Sequence, residues 1–142
     1  MTAVDTALEL PGGMRDLAGE LVRWLETGTR PEGMFSPDVF CDLSVPLWRF
    51  QTRGEDAAFG IREQSHPFTG TVHVEALDRT SRGFLVQFEE RWQAQGQQWY
   101  CREQIHCIVT AGRISELVIY CTGDWDQALQ VRHAQQVTLL RA

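Results

Sequence analysis

The sequence has no run of Lys or Arg. Its basic residues are scattered, and the formal net charge is −6. A binder of phosphate backbones needs a basic face, and a polybasic membrane anchor needs a basic cluster. Nucleic acid and membrane are therefore excluded as expected partners. No C-x-x-C spacing links the four cysteines, Cys41, Cys101, Cys107 and Cys121, which removes zinc-ribbon and thioredoxin-like readings. No apolar run approaches membrane-spanning length. The opening MTAVDTALELPGG lacks the basic start and long apolar stretch of a secretion signal. Together these absences imply a cytoplasmic protein whose thiols stay reduced. Three of the cysteines fall inside or at the ends of apolar strand patterns, so buried free thiols are favoured over disulfides.

What is present fits one domain. The chain has 142 residues, 43% of them apolar and 23% charged, enough for a single core. Five Trp and seven Phe can fill a core or wall a pocket. Residues 1–13 read as a flexible tail that ends in the breaker cluster LPGG. A single domain is expected over 14–142. Met14, Leu17, Ala18, Leu21, Val22 and Leu25 repeat at helical spacing, and Gly28 closes the helix. DVFCDLSV reads as a first strand, with Pro46 limiting it to an edge or a strand end. EDAAFGIREQ reads as a short helix.

From residue 70 the period changes to two. TVHVEALDR, GFLVQFEERWQ, WYCREQIHCIV and ISELVIYC read as strands, the last three as an antiparallel meander with turns at AQGQ and TAGR. WDQALQVRHAQQV reads as a C-terminal helix. Asp124, with Gln127 three residues on, is the expected N-cap, and Asp126 falls in the first turn, where a negative charge suits the helix dipole. Helices segregated from antiparallel strands imply an α+β domain.

MFSPDVFCD, followed much later by AGRISELVIYCTGDWD, resembles the SnoaL-like branch of the nuclear-transport-factor-two-like superfamily, which includes ketosteroid isomerases. The resemblance runs from about residue 14 onward and includes the element order. It implies a cone-shaped α+β fold, in which a strongly curved, mainly antiparallel sheet wraps an N-terminal helix and leaves an internal apolar pocket. Members include isomerases, epoxide hydrolases, polyketide cyclases and non-catalytic binding domains, so fold alone does not fix function. By register, the general base of isomerase-like members looks like Asp42. Their second carboxylate falls at Gln104, a departure from the pattern. The Arg-x-Asp of epoxide-hydrolase-like members reads Arg91-Trp92-Gln93, which keeps the Arg and loses the Asp. The last carboxylate of that set falls near Thr122.

Counting back from the turn at Gly112 turns Leu117, Ile119 and Cys121 inward. It also turns Arg102, Gln104 and His106 inward, with Tyr100 on the same face and Glu89 and Arg91 beside them. The expected catalytic group is Asp42 as base, with Arg102, Gln104 and His106 as donors to the substrate. Trp48, Glu89, Arg91, Tyr100, Ile119 and Cys121 are the expected substrate-binding set. Phe84, Val86, Phe88, Trp92 and Trp99 then face outward, and that apolar outer face implies a homodimer. His66, before Pro67, reads as loop, and no ligand spacing supports a metal. Cys121 has no sequence signature of a nucleophile.

The function these features imply is cofactor-independent acid/base chemistry on an apolar cyclic or polyketide-like small molecule, of isomerase, cyclase or epoxide-opening type. The alternative is a non-catalytic binding or dimerisation module with the same pocket.

Overall fold

The computed structural model describes residues 10–141. The elements in chain order are α1 (Gly12–Thr27), β1 (Phe35–Val45), β2 (Trp48–Arg53), α2 (Glu55–Ser65), β3 (Gly70–Arg79), β4 (Gly83–Ala94), β5 (Gln97–Thr110), β6 (Arg113–Cys121) and α3 (Gln127–Gln136). The six strands form one sheet in the order β2-β1-β6-β5-β4-β3. The β1–β6 pair is parallel and the other neighbours are antiparallel. The expected α+β class is observed. No helix among the described residues is long and apolar enough to cross a membrane.

Helix α1 buries Leu17, Ala18, Leu21, Trp24 and Leu25 along one stripe, and Gly28 ends it in the left-handed conformation at φ 76°, which glycine adopts without a Cβ penalty. Leu10 is buried and the helix begins at Gly12. Residues 10–13 therefore belong to the domain, while the rest of the expected tail lies outside the described residues. Helix α2 has Glu55 and Asp56 in its first turn and Arg62 in its last, charges that suit its dipole. It contributes Ala58 and Phe59 to the core. Phe59 packs against Trp24 and Phe35 at ring separations of 5.1 and 4.8 Å.

The core lies between α1, α2 and one face of the sheet. That face carries Val39 and Cys41 of β1, Phe84, Val86 and Phe88 of β4, Ile105 and Cys107 of β5, and Leu117 of β6. This corrects the expected orientation of β4. Phe84, Val86, Phe88 and Trp92 are core residues, so they cannot be the outer apolar face from which a homodimer was inferred. Cys41, Cys101 and Cys107 are buried and free, and Cys121 is free and half-buried.

A β-bulge accounts for the reversed orientation. At the β5–β6 turn, Thr110 pairs with Arg113 and Val109 with Ile114; the register then shifts, and Ile108 pairs with Glu116 and Cys107 with Leu117. Ser115 is the extra residue. Its hydroxyl pairs with that of Thr110 at 2.9 Å and donates to the Ile108 carbonyl at 3.2 Å. An unbulged hairpin would set Gln104 opposite Ile119 and His106 opposite Leu117. The bulge instead sets Ile105 opposite Ile119 and His106 opposite Val118. One inserted residue exchanges the faces of the partner strand.

The C-terminal helix starts later than expected. Asp126, not Asp124, is its N-cap, and its carboxylate accepts the Leu129 N–H at 2.8 Å. Trp125 is held to Tyr100 by two backbone hydrogen bonds of 3.0 and 2.7 Å, which keeps it out of the helix.

Candidate functional site

Between α1, α2 and the concave sheet face lies a cavity of about 730 Å³. Its walls are mainly apolar: Leu21 and Leu25 of α1, Leu43 of β1, Ile61 of α2, and Ile105 and Ile119 of β5 and β6. Alternation along the strands supplies these side chains, because Cys41, Leu43 and Val45 share a face, as do Leu117, Ile119 and Cys121.

The same alternation puts polar groups on this face. On β5 the inward row is Cys101, Glu103, Ile105; on β4 it continues from Phe88 to Glu90. Glu90 stands opposite Cys101, and Glu103 opposite Cys121. One donor atom each from Glu90, Cys101 and Glu103 lies within 4.8 Å of the other two. Glu90 is 3% exposed, so its charge needs a partner. Arg62 of α2 supplies it. Its Nη1 and Nη2 donate to the two Glu90 carboxylate oxygens at 3.1 and 2.5 Å. Nη2 also donates to the Leu25 carbonyl at 2.7 Å, near the end of α1. One guanidinium therefore ties α1, α2 and β4 together at the floor of the cavity. Glu90 therefore enters the Glu90–Cys101–Glu103 cluster with both carboxylate oxygens already bonded by Arg62.

Among the described residues Glu103 forms no ion pair. Burial, then the hydrogen bond and negative charge of Glu90, push its carboxyl well above the usual range. Glu90 shifts the other way. Burial opposes its ionisation most strongly, but the hydrogen bond from Glu103 and the pairing with Arg62 outweigh it and hold the carboxyl low. The two carboxyls therefore shift in opposite directions, Glu103 up and Glu90 down. Environments that separate paired carboxyls in this way create distinct acid and base roles.

His66, just past α2, lines the cavity. Its ring lies edge-on to Trp92 at 4.1 Å, and neither ring nitrogen has a hydrogen-bond partner. Burial first, and the charge of Arg62 second, lower its pKa, which favours the neutral imidazole. Asp124 stands at the rim, and Cys121 accepts the Gly123 N–H at 3.3 Å.

Of the residues expected from sequence, Ile119 and Cys121 line this cavity. The others do not. Asp42 lies on the opposite face of β1, where Arg49 grips its carboxylate at 2.8 and 2.5 Å and Gln51 donates at 3.3 Å. The arginine first, against the effect of burial, holds the Asp42 carboxyl low, the reverse of what a general base needs. Arg102 is bonded to Glu75 at 2.8 and 2.5 Å. Gln104 donates to Gln87 at 3.2 Å, and Gln87 to Glu75 at 3.3 Å. His106 Nε2 pairs with the Thr80 hydroxyl at 2.8 Å. Tyr100 donates to Glu89 at 2.5 Å, and the Arg91 guanidinium lies over the Tyr100 ring at 4.6 Å. These side chains form polar networks on the outer face. Trp48 is 66% exposed beside Phe50.

The sequence reasoning missed Glu90, Glu103, Arg62 and His66. A signal was available: Glu103 interrupts the row Cys101, Ile105, Cys107, and Glu90 interrupts Phe84, Val86, Phe88, Trp92. A carboxylate in an otherwise apolar strand face is costly unless it has a use or a partner.

No family model matches the sequence, and no curated protein does. Solved structures do match. A protein named as a candidate isomerase from Rhodopseudomonas palustris is 13% identical over 89% of this chain and 98% of that one, with a TM-score of 0.65. The chain has the nuclear-transport-factor-two-like fold. A protein of that fold from Anabaena variabilis is 17% identical over 87% of this chain and 95% of its own, at TM-score 0.63. The epoxide hydrolase/cyclase-like enzyme SalBIII, of pyran ring formation in salinomycin, is 12% identical over 79% and 95%, at TM-score 0.64. At these identities the likeness is one of fold.

Proposed function

We propose that the protein is an acid/base enzyme acting on an apolar small molecule in the concave cavity, with Glu103 as the proton donor. The observation that carries this reading is the carboxyl pair at the cavity floor, one member bonded by Arg62 and the other in no ion pair among the described residues. Glu103 gives its proton to a basic atom of the substrate, and Glu90 and Arg62 stay fixed as a neutral pair that holds Glu103 in its protonated form. Neutral His66 takes or returns a proton on the other side of the ligand. Leu21, Leu43, Ile105, Ile119 and Cys121 contact the substrate body. Isomerase, cyclase and epoxide-opening chemistry all need such a donor beside an apolar wall. The neighbours described as an isomerase candidate and a hydrolase/cyclase support the class through their shared fold.

The test compares Glu103→Gln with Asp42→Asn on a panel of apolar cyclic ketones and epoxides. Loss of turnover by about 100-fold or more in Glu103→Gln, with Asp42→Asn unchanged, supports the assignment. Full turnover in Glu103→Gln overturns it. Saturable binding with no turnover of any panel member favours the non-catalytic binding module.

A further inference from the structure

The reading above leaves open which atom of the ligand takes the Glu103 proton. The charge arrangement of the cavity narrows it. Arg62 is the one arginine lining the cavity among the described residues, and its charge is already neutralised by Glu90. A ligand carboxylate or phosphate would therefore meet a spent cation, with Glu103 and the rim carboxylate Asp124 nearby. Glu103 accepts a weak contact from the Cys101 thiol, at 3.8 Å, and forms no ion pair among the described residues; the Arg62 charge reaches it only as a weaker influence behind burial and Glu90. A charge on Glu103 would be unpaired against apolar walls, which is costly. The two ring nitrogens of His66 are shielded and unpartnered at the same cavity. A neutral imidazole offers one acceptor lone pair there.

We infer that the ligand is a lipophilic amine: an apolar body bearing one basic nitrogen, which binds as the ammonium against the Glu103 carboxylate. This rests on the cavity reading given under the proposed function and specifies its substrate class. The proton balance is closed. A neutral amine entering the site takes the Glu103 proton onto its nitrogen, leaving an ammonium–carboxylate pair and no net exchange. An ammonium taken from water displaces that proton, and one proton passes to the buffer for each ligand bound. In either case the counter-ion for Glu103 arrives with the ligand. The apolar wall selects the body, and Glu103 with His66 selects the head.

The experiment uses three ligands that share one rigid body: 1-aminoadamantane, 1-adamantanol and adamantane-1-carboxylate. Each is titrated calorimetrically into the full chain at pH 7, in two buffers of different ionisation enthalpy. The expected result is amine affinity at least about tenfold above that of the alcohol, no measurable carboxylate binding, and close to one proton released per amine bound. In Glu103→Gln the amine-to-alcohol ratio should fall toward one and the proton release should vanish. If the alcohol binds as well as the amine, the amine inference is wrong while the cavity reading stands; if the amine binds without proton release, Glu103 holds no proton to give and the inference falls together with its assignment as proton donor. If the carboxylate binds best, the charge argument is wrong. If none of the three binds, both the inference and the cavity reading fall.

Discussion

Glu90 and Glu103 meet on the diagonal between β4 and β5, with carboxylate oxygens within 4.8 Å, and Arg62 bonds only the first of them. That asymmetry shifts the two carboxyls in opposite directions, Glu103 up and Glu90 down. It also makes the stability of the fold depend on pH in two opposite ways.

For Glu103 the folded carboxyl titrates well above its ordinary value of 4.5. The folded state then binds the proton more tightly than the unfolded chain. Its contribution is full below the unfolded value and is lost as pH rises toward the folded one. Denaturant unfolding should show stability falling by at most about 1.4 kcal/mol per pH unit across that window. Glu103→Gln should remove the slope. An unchanged slope in the variant would assign it to another group. Glu90 has the opposite sign: its folded value lies below 4.5, so its contribution is present above 4.5 and is lost on acidification.

Arg62→Met should be among the most damaging single changes. It leaves the Glu90 charge buried and unpaired, at a cost of about 3–5 kcal/mol, and frees the Leu25 carbonyl. Adding Glu90→Gln removes the stranded charge. The double variant should therefore be less destabilised than the sum of the two singles, by about 1–3 kcal/mol in a double-mutant cycle. Additive losses would show that the pair is not coupled.

Gln104→Ala and His106→Ala should leave ligand affinity in the cavity unchanged. Both side chains point to the outer face, where they bond Gln87 and Thr80. Their loss should cost about 1 kcal/mol of stability each. A tenfold loss of affinity in either variant would contradict the placement of the site.

Deleting Ser115 tests the bulge. Without the extra residue the β5–β6 hairpin can keep either its turn or its buried face, not both. The deletion should abolish cooperative unfolding, or lower the melting temperature far more than Ser115→Ala, which removes only two hydroxyl contacts. Equal effects of the two changes would mean that the bulge does not set the register.

The sequence makes the element order legible because helical and alternating periods differ, and because Gly28, Gly96 and Gly112 mark the ends. It shows α1 and the strands of the meander. It does not show β2, which is only six residues long and mostly exposed, although Trp48 and Phe50 alternate with Arg49 and Gln51. The site is illegible for a narrower reason. Counting from Gly112 treats the β5–β6 hairpin as regular, and no Gly or Pro marks the shift at Ser115. The error moves Arg102, Gln104 and His106 inward and Glu103 outward. The hydrophobic pattern held the correction, since Cys101, Ile105 and Cys107 form the more apolar row of β5. His66 was passed over because His-Pro reads as loop. It is indeed outside the helix, but α2 ends beside the cavity and Trp92 holds the ring there.

The proton on Glu103 tests the account most directly. With carbon-13 in the glutamate side chains, the carboxyl signals of Glu90 and Glu103, assigned by Glu→Gln variants, can be followed by NMR from pH 3 to pH 9. The account predicts that at pH 7 the Glu103 carboxyl keeps the shift of a neutral acid while Glu90 has that of a carboxylate. If both carboxyls are ionised by pH 6, Glu103 cannot be the proton donor and the proposed chemistry is wrong.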